Sequence, residues 1–247
     1  MKLAIDIENK ITNIGVFEDL NLLCSFAITT DKNKSIDEIS LILKLMLRNK
    51  GIEFSDIDYI IISTVVPELL ESYTKISNNI TNKSPLVISP GVKTGINIKC
   101  ENPKEVGTDR IIRAVGAIDI FDKNIIIISA STITTIDYIN EKKEFLGGLI
   151  MPGIDLFEKS LHIESAKLPH VEIVKPKTIL GNNTVNSIQS GIYHAYNKAV
   201  WGMVSDMIEE CKIANEPEII ITGKNASFLK NDIFRFKEIP SLSLLGL

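Results

Sequence analysis

The chain has 247 residues, 45% hydrophobic and 23% charged, a composition that fits a folded protein of one large or two ordinary domains and excludes a disordered one. Its 27 basic and 31 acidic residues leave a net charge of −4, which argues against phosphate-backbone binding as the main activity. Cys24, Cys100 and Cys211 lack the spacing of a zinc site or disulfide framework, and no apolar run is long enough to span a membrane; a reducing cytoplasm is the expected location.

LAIDI, ITNIGVF and LLCSFAI read as three short strands separated by turn residues. SIDEISLILKLMLRNKG carries helical spacing, with Ser35 at its start and Gly51 at its end. DYIIIST is a continuous apolar run expected to be a strand buried on both faces, and Pro67 opens a second helix, PELLESYTKI. After a helix around DRIIRAVGAIDIF the plan repeats. NIIIISAS, TITTIDYI and FLGGLIM are strands, DLFEKSLHI and SIQSGIYHAYNKAVWGMVSDMIEEC are helices, and EIIIT is a buried strand. The order β-β-β-α-β-α thus occurs twice, predicting an α/β protein of two related lobes, 1–115 and 116–247, facing each other across a cleft. Each copy begins with strand, turn, strand: IDIENK at 5–10 and ISASTITTID at 128–137. Such turns are expected to approach a bound nucleotide from opposite sides.

Three short motifs carry candidate chemistry. Gly107-Thr108-Asp109-Arg110 places a carboxylate and a guanidinium at the start of a helix. The carboxylate is the kind of group that takes a proton from a weakly acidic hydroxyl, and the guanidinium suits an anion. Taken alone, the same four residues also describe an ordinary acidic first turn. Thr184 in NNT alone is a helix cap, and Thr132 alone is ordinary strand composition.

ENPKEVGTDRIIRAVGA at 101–117, SASTITTID, LGGLIMPGI at 146–154, SAKLPHV at 165–171, NNTVNSIQSGI at 182–192, IIITGKNA at 219–226 and SLSLLGL at 241–247 together resemble the type III pantothenate kinases, also called the Bvg accessory factor family. The resemblance runs from end to end and in order. It implies the duplicated fold of the acetate and sugar kinase, heat-shock protein 70 and actin superfamily, which is ribonuclease H-like, and a homodimer. It also implies phosphorylation of pantothenate by ATP with Mg2+ as the first step of coenzyme A synthesis. By the same resemblance Asp109 is the catalytic base, Gly107, Thr108, Asp109, Arg110 and Thr184 contact substrate, and Asp6, Asn9, Lys10 and Thr132 face the nucleotide. PGI at 152–154 and AKLP at 166–169 are expected to be turn and interface elements without chemistry.

The sequence departs from that family at its phosphate turns. The family's Asp-x-Gly-Asn-Thr is here Asp6-Ile7-Glu8-Asn9-Lys10, which puts bulk and negative charge where phosphates are expected; Lys10 is expected to reach a phosphate or to pair with Glu8. Ser129 stands at the aspartate that ligates the family's activating monovalent cation, K+ or NH4+, and Ser131 at a loop glycine. Lys224 replaces the second glycine of an adenosine-side pair, Ala195 a helix glycine, and Cys100 a substrate-contacting tyrosine. The changes gather on the nucleotide side, so two outcomes are expected to compete. One is a kinase that binds ATP weakly. The other is an impaired paralogue acting as a regulator, or as a complementing subunit in a mixed dimer with an intact copy. Neither a nucleic acid nor a membrane is an expected partner.

Overall fold

The computed structural model describes residues 1–89, 92–213, 215–230 and 232–247. The chain begins with strands β1 (Lys2–Ile7), β2 (Ile11–Glu18) and β3 (Asn21–Thr29), helix α1 (Ile36–Arg48), strand β4 (Tyr59–Thr64) and helix α2 (Pro67–Thr81). Short strands β5 (Leu86–Val87) and β6 (Asn97–Ile98) precede helix α3 (Thr108–Ile120). Strands β7 (Ile125–Ala130), β8 (Ile133–Ile139) and β9 (Glu144–Pro152) follow, then helices α4 (Ile154–Glu164) and α5 (Thr184–Glu210). Strands β10 (Glu218–Thr222) and β11 (Lys237–Glu238) and the single-turn helix α6 (Leu242–Leu245) complete the chain.

Two compact units result. The first takes residues 1–96, 100–120 and 241–247, and the second takes 97–99 and 121–240. The division is therefore not a single cut near residue 115: such a cut would fall inside α3, an unbroken helix that packs with the C-terminal segment of its own unit.

In the first unit the strand order is β3-β2-β1-β4-β5, with β1 antiparallel to β2 and parallel to β4. In the second it is β11-β10-β7-β8-β9-β6, with β7 antiparallel to β8 and parallel to β10. Apart from the added edge strand β6, the second order reproduces the first, as the repeated sequence plan predicts. β7 is buried along its whole length and largely apolar on both faces, whereas β1 turns Leu3, Ile5 and Ile7 to one face and Lys2, Ala4 and Asp6 to the other. Leu3, Ile5, Ile7, Ile14 and Ile62 are buried with Leu43 and Leu47 of α1, each such side chain contributing about 1.5 to 3 kcal/mol. Ile126, Ile128, Ile219 and Ile221 form the second core with Tyr196, Val200 and Val204 of α5.

Local chemistry sets the helix starts. Ser35 caps α1 in a capping box with Glu38, and Asn183 caps α5 by accepting from the Asn186 amide. Pro67 occupies the first turn of α2, where no amide donor is needed. The irregular stretch 165–183, which contains the AKLP turn, is held to α4 by Glu158; this carboxylate accepts from the Val171 amide at 2.9 Å and pairs with His170 at 2.6 Å. Gln189 of α5 donates to the Glu172 carbonyl at 2.8 Å and pins the same stretch from the other side.

Candidate active site

Each unit carries one of the two predicted turns, and their chemistry differs. In the first unit β1 ends at Asp6 and Ile7, and the chain reverses through Glu8, Asn9 and Lys10, closed by the Glu8 amide on the Ile11 carbonyl at 3.0 Å. None of these three residues adopts a positive φ, so replacing the expected glycine causes no backbone strain; charge and bulk are what changed. Asn9 and Lys10 are exposed, and the Lys10 side chain forms no ion pair among the described residues. Glu8 pairs instead with Arg113 of α3, at 3.5 Å.

The start of α3 is anchored beside this turn. Thr108 Oγ1 donates to the Thr64 carbonyl at the end of β4, the strand paired with β1. A side chain at Gly107 would meet Asp109 Oδ1 at 2.6 Å, so the glycine leaves room for the carboxylate. Asp109 projects from the first turn and is bonded by Arg113 one turn later, while Arg110 is partly buried beside it. The structure thus brings Asp6, Glu8, Asp109 and Arg113 into one cluster of three carboxylates and one buried guanidinium.

The electrostatics follow from burial. Burial pushes the Asp6 carboxyl up to about 6; the Ser243 hydroxyl and Arg113 pull it down, and Asp109 pushes it further up. Neither Asp6 oxygen has a formed hydrogen bond among the described residues, although Ser243 and Ser63 lie near. Burial likewise raises Glu8 to about 7, helped by the negative charges of Asp6 and Asp109 and opposed by Arg113. Ser243 belongs to the C-terminal segment, which closes tightly on α3: a side chain at Gly246 would lie 1.8 Å from the Ile112 carbonyl, and one at Gly116 2.5 Å from the Leu242 carbonyl.

In the second unit β7 ends at Ser129 and Ala130, and the turn runs through Ser131 and Thr132 into β8. Ser129 is buried, and Ser131 has no positive φ. The backbone carbonyls of the turn are already used: Ala130 accepts from the Asn225 amide at 2.9 Å, Ser131 from Asn225 Nδ2 at 3.3 Å, and Thr132 from the Gly153 amide at 3.0 Å. Gly223 makes this approach possible, with φ +95 and space for no side chain, since a Cβ would lie 2.4 Å from the Ala130 carbonyl. Lys224 reaches Asp155 in the first turn of α4 at 2.5 Å, where helix polarity favours an acid.

Thr184 is apart from that turn in the chain, at the exposed start of α5 on the wall of an apolar groove of about 580 Å³ between α4 and α5. Ala195 lines the same groove. Cys24, Cys100 and Cys211 are all free thiols. Arg113, Asp155 and Ser243 escaped the motif reading. Arg113 nonetheless had a signal, a charge inside an apolar helical stretch at i+4 from the candidate base.

The comparisons agree with this architecture. The family model for type III pantothenate kinase matches residues 2–206. A Halalkalibacterium halodurans protein named type III pantothenate kinase is 40% identical, covering 100% of this chain and 97% of that one. A solved structure from Campylobacter jejuni, assigned to the Baf family of transcriptional activators, superposes with a TM-score of 0.60 at 19% identity over 99% of this chain and 94% of that one. MreB 5 of Spiroplasma citri, solved with AMPPNP, gives 0.53 at 10% identity over 99% and 94%. These likenesses establish the acetate and sugar kinase, heat-shock protein 70 and actin fold. With the family model spanning both units and a relative matched along its whole length, the chain belongs to the type III pantothenate kinase family.

Proposed function

We propose that this chain phosphorylates pantothenate with ATP, giving 4'-phosphopantothenate in coenzyme A synthesis. The observation that carries the reading, beside family membership, is the Asp109 carboxylate at the first turn of α3, oriented by a buried arginine and given space by Gly107. The substrate's primary hydroxyl oxygen attacks the γ-phosphorus as the bond to the β,γ-bridging oxygen breaks and ADP leaves, while Asp109 takes the hydroxyl proton. Arg110 at the same helix start suits the pantothenate carboxylate or a phosphate oxygen, and Thr108 and Thr184 offer hydroxyl contacts. Asp6, Asn9, Lys10 and Thr132 form the nucleotide-facing set, with the exposed Lys10 supplying the compensating positive charge.

Among the described residues no group of three His, Cys, Asp or Glu side chains is arranged to hold a metal ion. The orphaned, buried Asp6 oxygens fit a nucleotide-borne Mg2+, whose role when bound is to neutralise phosphate charge. The neutral Ser129 hydroxyl does not fit a carboxylate-ligated monovalent cation, and the transfer proposed here runs without one at that position.

A homodimer is part of this reading. What supports it is the apolar α4/α5 groove, together with the exposed side chains of Leu161, Ile163 and Ile150 in the same unit. The free thiols of Cys24, Cys100 and Cys211 suit a reducing cytoplasm, which is the location this reading takes; separately, no helix among the described residues is long and apolar enough to cross a membrane.

The deciding experiment is ADP release with ATP, Mg2+ and pantothenate, with and without added K+. Pantothenate-dependent turnover that Asp109→Asn removes is the expected result. Absence of turnover at millimolar ATP would overturn the reading.

A further inference from the structure

Arg113 lies one helical turn after Asp109, so both side chains leave the same face of α3. Its side chain is 4% exposed; Nη2 bonds Asp109 and Nη1 faces Glu8 at 3.5 Å. A guanidinium is a rigid planar fork that stays protonated in proteins, so it orients a carboxylate without competing for the transferred proton. For that orientation to be definite, the arginine itself must be fixed. Its helix is fixed by the C-terminal segment closing over Gly116, and its head is held on the other side by Glu8, whose backbone is locked in the β1–β2 turn.

Resting on the kinase reading of Asp109, we propose that Arg113 is a positioning residue for this base, holding its carboxylate toward the substrate hydroxyl, and that Glu8 is the tether that holds Arg113. The acidic residue in the phosphate turn then supports the base motif. The two groups belong together: the guanidinium eases the cost of charge on Glu8 beside Asp6, and Glu8 gives the guanidinium a contact in addition to Asp109.

The test is a double-mutant cycle on pantothenate turnover with the full chain. Arg113→Gln is expected to lower kcat on the order of tenfold to hundredfold while KM for pantothenate stays within about threefold. Arg113→Lys is expected to recover part of the loss, and Glu8→Ala to lower kcat several-fold. Asp109→Asn combined with Arg113→Gln is expected to be no slower than Asp109→Asn alone, because the arginine acts through the aspartate. Losses that multiply, or a loss confined to KM, would overturn the proposal. Should Arg113→Gln fail to fold by circular dichroism, Arg113→Lys and Glu8→Ala decide instead, and kcat unchanged in both would overturn it. A second readout does not need turnover. The Asp109 carboxyl carbon resonance, assigned by its loss in Asp109→Asn, is expected to move in Arg113→Lys. An unmoved resonance defeats the positioning role alone, whereas wild-type protein without turnover defeats the kinase reading alone.

Discussion

The two turns that begin the duplicated halves follow one plan and differ in electrostatics, the first being acidic and the second neutral. In the first, Asp6 and Glu8 are forced toward protonation by burial, and one guanidinium serves Glu8 and Asp109. In the second, serines and a threonine leave the turn neutral, its carbonyls are bonded by Asn225 and Gly153, and the nearby charges of Lys224 and Asp155 cancel each other. Neither turn needs a positive φ at the replaced glycines. The difference teaches that a substitution in a phosphate turn is to be judged by what its side chain meets. Glu8 meets a buried cation, and Ser131 fits a turn whose tight approach is provided by Gly223.

The largest expected effect separates chemistry from scaffold. Asp109→Asn should lower kcat by about 10²- to 10⁴-fold, the usual range for losing a positioned acid or base, with the thermal midpoint little changed. A comparable loss from altering Thr132 in the neutral turn would break the assignment of proton transfer to the first unit.

Next come the glycines that seat each turn. Gly223→Ala should destabilise the protein by about 3 kcal/mol through left-handed strain and overpacking against Ala130, and raise KM for ATP. Gly246→Ala should cost about 1 to 3 kcal/mol by overpacking against Ile112, and lower kcat, because the displaced segment carries Ser243 and packs on α3, the helix of Asp109 and Arg113. Identical kinetic signatures from the two variants would erase the distinction between the turns.

Stability against pH is the third way to sharpen it. Asp6 and Glu8 have folded values of about 6 and about 7, above their ordinary 3.8 and 4.5, so the native state holds the extra protons between those limits. Their protonation favours folding, and stability should fall as pH rises through 6 and 7. For Glu8 the fall should be about 1 to 2 kcal/mol, less than the full shift implies because its side chain is 23% exposed. Glu8→Gln should flatten the profile in melts from pH 5 to pH 8. A midpoint that climbs over that range would contradict the burial argument.

The smallest effect belongs to the neutral turn. The Lys224–Asp155 pair has about a third of each side chain exposed, so Lys224→Met should change stability by less than about 1 kcal/mol. A larger loss, measured by denaturant titration, would show that the second turn depends on charge as much as the first.

Much of this was legible in the chain. Continuous isoleucine runs such as NIIIIS and EIIIT demand strands covered on both faces, and Ser35 and Pro67 announce helix starts through backbone chemistry confined to a single turn. The base motif was legible because its helix, glycine and acid are contiguous. The partner of Glu8 was not: Lys10 is the nearest cation in the chain, two residues away, yet Arg113, 105 residues further along, takes the contact because α3 packs beside the end of β1.

The amino-acid sequence by itself determined the element order and the duplication, since periodicity and capping are local properties, and it carried the family resemblance that points to the candidate base. Tertiary structure alone decided that residues 241–247 join the first unit, that Glu8 and Asp109 share one guanidinium near Asp6, and that Lys224 is held by Asp155. Those outcomes depend on which charges are buried together, and burial is a property of the packed chain rather than of any segment in it.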